Sequence, residues 1–319
     1  MPELTLRRIQ HGVMCRPSTL VQCSLQESAG MPTALCNRHV LIILLLSMTM
    51  LLTALTRLEA MNEQPDNQPK LTSYKVWDRH VRIFHWLNVL CILGLIFIGL
   101  MILNSKSFGV SADGKILLKT IHVYIGYVFV VNLIWRLIWG FIGSHYAKWS
   151  SIIPVHKGAI RETTSYINEL SEGKAPSYAG HNPLAKIMVS VLFVLLITQA
   201  STGLILAGTD LYLPPFGHEI AEQVTNSGED HQALEGLVPG SKQGVDQAAY
   251  ARMREWRKPI ISIHVFSFYL LLIAITMHIV AVVISEFKEK NGIVSAMING
   301  EKFIKGKPVD EPKNNKPKL

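Results

Sequence analysis

Apolar residues are not spread evenly along this chain. After residue 80 they gather into four long runs, at about 83–103, 120–143, 187–208 and 260–284. Each run has about the 20 residues that a helix needs to cross the hydrocarbon core at roughly 1.5 Å per residue. Lipid offers no partner to an open backbone, so helix is the default conformation there. The pattern predicts an all-α integral membrane protein, a bundle of four transmembrane helices. A fifth, weaker apolar run spans about 40–55.

The flanks of the runs give the orientation. Lys70, Lys75, Arg79 and Arg82 precede the first run. Lys148, Lys157, Arg161, Lys174 and Lys186 lie between the second and third. Lys288, Lys290, Lys302, Lys305 and Lys307 follow the fourth. If the helices alternate, all three groups share one side. The other side receives a short connection and a long loop, 209–259, with Asp210, Glu219, Glu222, Glu229, Asp230, Glu235 and Asp246. Basic loops stay in the cytoplasm, so both ends of the four-helix unit are expected there, in a bacterial inner membrane.

Residues 1–60 do not fit this scheme. A cleaved signal peptide would begin earlier than residue 40. A fifth span would put Arg7, Arg8, Arg16 and Arg38 on one flank against Arg57, Lys70 and Lys75 on the other, and both sets cannot be inside. The charge conflict favours a third reading, in which translation starts at Met61. The expected divisions are an N-terminal extension (1–60), a cytoplasmic segment (61–82), a bundle (83–284) with its periplasmic loop (209–259), and a cytoplasmic tail (285–319). The Lys/Pro/Asn-rich end of that tail reads as disordered.

Composition sharpens the class. The chain has 319 residues, of which 49% are hydrophobic and 17% charged, a balance unusual for a soluble domain. The net charge of +8 sits in the loops and reads as topology, not as a nucleic-acid surface. The cysteines are Cys15, Cys23, Cys36 and Cys91. None forms a C-x-x-C or C-x-x-C-H motif, which excludes a zinc knuckle and a covalently attached c-type haem. Any haem is therefore held by axial ligands and packing.

Four of the twelve histidines lie in the apolar runs: His85, His122, His264 and His278. With alternating helices, His85 and His278 fall at the cytoplasmic depth, and His122 and His264 at the periplasmic depth. His264 and His278 are 14 residues apart, close to four turns, so they share a helix face about 21 Å apart. Imidazole is a standard axial ligand of haem iron, and bundle cores are usual sites for such cofactors. Interhelical hydrogen bonds and a proton relay are the rival uses of intramembrane histidine. Arg136, 14 residues after His122, is costly at that depth without an anion such as a haem propionate, and Arg82 is a second candidate for that role. Trp86, Trp135, Trp139 and Trp256 suit interfacial belts. His80, His145, His156, His181, His218 and His231 lie in polar stretches and are expected to be solvated.

Several stretches are similar to the bacterial cytochrome b561 family, which includes the b-type cytochrome subunits of nickel–iron hydrogenases. They are YKVWDRHVRIFHWLNV, IHVYIGYVFVVNLIWRLIWGFIGSHYAKW, GHNPLAKIMVSVLFVLLITQASTGLIL and IHVFSFYLLLIAITMHIVAVV with AMINGEK, in order over about 74–303. The resemblance implies a four-helix protein with two haem b groups, ligands at His85, His122, His264 and His278, and a quinone as one redox partner. Residues 1–60 have no counterpart in it. The expected function is electron transfer between the quinone pool and a periplasmic redox protein or a hydrogenase or dehydrogenase subunit. A stand-alone superoxide:quinone oxidoreductase, a pure membrane anchor and a haem-free transporter remain open alternatives. For the superoxide reading, Arg252, Arg254, Arg257 and Lys258 are the candidate basic patch.

Overall fold

The computed structural model describes residues 71–225, 237–289 and 291–312, together with Thr49 and Leu234. The fifth apolar run, the proposed start at Met61 and the Lys/Pro/Asn end from 313 lie outside the described residues, as does His231.

The long helices are α1 (Arg79–Leu103), α2 (Ala112–Ile142), α4 (Pro183–Leu211) and α6 (Gln247–Glu289). The shorter ones are α3 (Ala159–Ser171), α5 (Gly217–Thr225) and α7 (Ile293–Asn299). All four long helices are long and apolar enough to cross a membrane. All four start on side-chain caps: Asp78, Ser111, Asn182 and Asp246 accept hydrogen bonds from the backbone N–H of Val81, Gly114, Ala185 and Ala249. Their outward faces are apolar, with Leu90, Phe97, Val131, Phe141 and Val194 exposed. That is the surface a hydrocarbon solvent selects. Helix α1 packs on α2, α2 on α4, and α4 on α6. One end of the bundle carries the start of α1 and the finish of α6; the other carries the long connection from α4 to α6.

Two expectations about the ends need correction. The loop expected at 209–259 contains α5 and the first turns of α6, which begins at Gln247 and continues through Pro259. These extra turns are polar outside and bury Met253 against Ile220 and Val224, so a hydropathy pattern cannot see them. The tail expected from 285 also has structure. Strand β1 (Leu71–Lys75) pairs antiparallel with β2 (Glu301–Lys305), Leu71 opposite Lys305 and Lys75 opposite Glu301. Between α7 and β2, Gly300 has φ +91, and its carbonyl accepts from Val76 and Trp77. A Cβ there would lie 2.7 Å from the Trp77 carbonyl oxygen, so only glycine fits.

Side chains complete this clasp. Asp78 accepts from Trp139 Nε1 (3.0 Å) and Ser144 Oγ (2.6 Å) as well as from Val81. Asp310 accepts from the amides of Ala179 and Gly180, both at 2.7 Å. Trp86 and Trp139, expected in a lipid belt, instead donate indole N–H groups to Met297 O and Asp78. Burial works against the Asp78 carboxylate, but bonds from Ser144, Val81 and Trp139 outweigh it and hold its pKa below the usual value. That stabilisation is present above the unfolded carboxylate pKa and fades as pH falls through the lower folded value. Asp78→Ala is expected to destabilise the protein by about 1–3 kcal/mol, since a helix cap and two further bonds go together. Thermal unfolding in detergent at neutral pH checks it; an unchanged midpoint contradicts the assignment.

Candidate functional site

The four intramembrane histidines fall on two levels. His122 (α2) and His264 (α6) lie toward the long-loop end; His85 (α1) and His278 (α6) lie toward the clasp. Electrostatic coupling joins them in those combinations, His85 with His278 and His264 with His122. All four rings are half-buried. Among the described residues, α6 packs closely on α4, α5 and α7, and neither α1 nor α2 is a close neighbour of it. Each histidine pair therefore spans a gap between helices that stand apart. Leu271, seven residues from both His264 and His278, is buried at mid-height with Phe129, Leu133 and Leu196. An apolar layer thus separates the two levels.

Helix α4 carries no histidine but shapes the long-loop level. The hydroxyl of Thr202 donates to Thr198 O (2.6 Å) and lies 2.8 Å from His264 Nδ1. Its single proton is used on the carbonyl, so it accepts from His264 Nδ1–H. That leaves Nε2 with a lone pair, the state of a metal ligand. Gln199 Nε2 donates to the His264 carbonyl at 2.9 Å. Two glycines face the rings. A Cβ on Gly203 would lie 3.5 Å from His264 Cε1, and one on Gly99 would lie 3.4 Å from His122 Cε1. A larger side chain at either place would push the ring. Gly126, one turn beyond His122, has open space where a Cβ would stand.

At the other level, Arg136 is buried and boxed by Phe84, Trp149 and Phe193, with ring centroids 5.1 to 6.0 Å from Cζ. Trp149 reaches the box because a short helical turn, Trp149–Ile152, folds back after α2. Arg136 Nη2 donates to Ala147 O at 3.0 Å, while Nη1 has no partner. Arg82 gives one Nη to the Ile298 carbonyl, and its Nε is buried without a partner. His85 Nδ1 is also without one.

His181 corrects an expectation. It is not solvated: its ring packs on Trp77 with centroids 4.8 Å apart, and its Nδ1 is buried without a partner. Burial, then Lys302, Arg136, His278 and Lys186, push its pKa down to about 3. The polar stretch around it misled because loop composition does not reveal what a loop covers. His80 is exposed as expected, with its ring 4.1 Å from that of Trp139. His145 is exposed; His156 and His218 sit at the surface beside Glu162 and Glu222.

The basic patch expected at 252–258 is divided. Arg257 is buried, paired with Asp210 and donating to Thr209 Oγ1 at 3.0 Å. Lys119 joins the same Asp210 at 2.6 Å, and Lys258 pairs with Glu255. Only Arg252 and Arg254 remain as exposed cations without such a pairing, so the stretch is not one attracting surface.

These features suit a haem held by side chains: imidazoles from different helices, an oriented ring nitrogen on His264, glycines against the His264 and His122 rings, and buried arginine N–H groups without a partner at the clasp end. Comparison with known proteins agrees. Residues 76–300 match the family model for prokaryotic cytochrome b561. The chain belongs to the prokaryotic cytochrome b561 family. It is a membrane b-type cytochrome of electron transport, and its missing C-x-x-C-H motif accords with a haem held without covalent attachment. A "Probable Ni/Fe-hydrogenase 1 B-type cytochrome subunit" of Escherichia coli is 32% identical over 154 residues, 45% of this chain and 63% of that protein. The cytochrome therefore spans somewhat less than two thirds of that relative. Ni/Fe-hydrogenase B-type cytochrome subunits of Rhodobacter capsulatus and Bradyrhizobium diazoefficiens are 26% and 25% identical, over 79% and 71% of this chain and 90% and 85% of theirs. No solved structure matches the cytochrome significantly.

Thr202, Gly203 and Gly99 were not found from the sequence. The only signal was small residues in otherwise apolar runs, which ordinary helix packing also uses. Thr202→Val removes the acceptor from His264 while keeping the side-chain volume. It is expected to weaken haem retention by about 10- to 100-fold. Haem transfer to an excess of apomyoglobin measures this, and transfer at the unmodified rate would contradict the assignment.

Proposed function

We propose that this cytochrome carries electrons across the membrane through two haem b groups. His122 and His264 would ligate one, His85 and His278 the other. The observation that carries the reading is the meeting of four histidines from three helices in two pairs, each from helices whose backbones are not close neighbours. Haem with two imidazole ligands has no open coordination position and supplies one-electron transfer.

The chain's own residues do the rest. Thr202 orients His264 and fixes its tautomer. Arg136, with Nη1 free inside its aromatic box, and Arg82, through Nε, would hold the carboxylates of the haem nearer the clasp. The apolar layer at Leu271 keeps water from the path between the two levels and lowers the local dielectric.

The positive-inside pattern places the clasp in the cytoplasm and the α4–α6 connection in the periplasm. The quinone pool is one redox partner. The other is a hydrogenase or a similar dehydrogenase docked on the periplasmic side, a reading supported by the relatives named as hydrogenase subunits. Of the four basic residues that would have favoured superoxide oxidation, two are paired, Arg257 with Asp210 and Lys258 with Glu255.

A reduced-minus-oxidised spectrum with haem quantitation is expected to give two b haems per purified chain. His278→Ala and His85→Ala are each expected to remove one and leave the other. A single haem in the unmodified protein, or two in either variant, would overturn the pairing.

A further inference from the structure

At the clasp end the chain collects buried positive charge. Arg136 and Lys302 are buried, and both lie within electrostatic reach of His181, as do Lys186 and His278. Two carboxylates are near, but both are occupied. Asp78 holds Val81 N–H, Trp139 and Ser144. Asp310 holds the amides of Ala179 and Gly180. Lys302 donates to the Tyr178 carbonyl at 2.6 Å. Arg136 Nη1 and His181 Nδ1 are left with no acceptor. A buried donor without an acceptor costs about 1–3 kcal/mol, so two in one place point to something that accepts from both.

His181 is unusually well fixed for a residue in a connecting segment. Asp310 clamps the two amides before it, and Asn182 after it caps α4. Trp77 packs against the ring face. These bonds fix the backbone on both sides of the ring. A neutral imidazole so held offers one Nδ1–H in a constant direction.

We propose that His181 is a further anchor for the haem at the clasp end, donating Nδ1–H to a haem carboxylate beside Arg136 Nη1. This assignment rests on the two-haem reading above. It makes the segment before α4 part of the haem site, although that segment lies outside the apolar runs. It also gives the clasp a function. By pairing β1 with β2 and by holding Ala179 and Gly180 through Asp310, the two ends of the bundle chain set the position of a haem contact. A donor on the carboxylate offsets negative charge near the iron, so His181 holds the potential of that haem up.

Two substitutions separate the donor from the packing. His181→Phe keeps an aromatic ring against Trp77 and removes the N–H. His181→Asn loses the ring and keeps an N–H near the Nδ1 position. Resonance Raman spectra of the full-length purified cytochrome report the propionate bending bands, and a redox titration reports both midpoints. For His181→Phe, the expected result is a shifted propionate band and a lowered midpoint for one haem, with the other unmoved. His181→Asn is expected to stay near the unmodified protein in both measurements, and carries the test if the Phe variant does not accumulate. Shifts in Asn but not in Phe would make His181 a packing residue and overturn the proposal. So would unchanged spectra and midpoints in both variants, or equal movement of both haems. A preparation of unmodified protein with fewer than two haems would instead overturn the two-haem reading, and is distinguished by the haem count alone.

Discussion

Helices in lipid gain little from apolar attraction to one another, so what keeps two of them apart must be built as carefully as what brings them together. That separation is the constraint on which the site depends. Helix α6 supplies a histidine at each level, and the partner rings come from α1 and α2, neither of which packs closely on it. Helix α4 resolves the geometry by packing on both α2 and α6. It carries none of the four histidines and instead brings Thr202, Gln199 and Gly203 against His264. This helix is the spacer and supplies the side chains that touch His264.

The ends of the bundle solve a different problem. At one end buried cations need acceptors, and at the other a buried carboxylate needs cations. Near the long connection, Asp210 takes Arg257 and Lys119 together. Breaking such a buried pair from one side leaves an uncompensated charge, typically about 3–5 kcal/mol. This arrangement ties α2, α4 and α6 at a single point and fixes the first turns of α6 before it becomes apolar. At the clasp, the strand pair and the Asp78 and Asp310 bonds join the beginning and end of the bundle chain. The clasp brings Arg82, Arg136, Lys302 and His181 to the level of His85 and His278.

Much of this was legible in the chain. The four apolar runs, their helical state and the depth of each histidine follow from lengths and from alternation across the bilayer, because lipid permits so few backbone solutions. The 14-residue spacings of His264 to His278 and of His122 to Arg136 are local helix geometry, which no neighbour can change. The absence of a C-x-x-C-H motif determined by itself how a haem could be held.

The tertiary structure decided what depended on residues far apart in sequence. That His181 is half-buried, with its Nδ1 shut off from solvent, follows from packing on Trp77, more than a hundred positions away. That Arg257 is neutralised follows from Asp210 on another helix. The extra turns of α6 and the β1–β2 pair are polar along much of their length, so hydropathy is silent about them. Thr202 and the two glycines read as ordinary helix-packing residues until the rings they touch are known. A helix period tells which side of a helix a residue faces; what stands on that side is settled only when the helices pack.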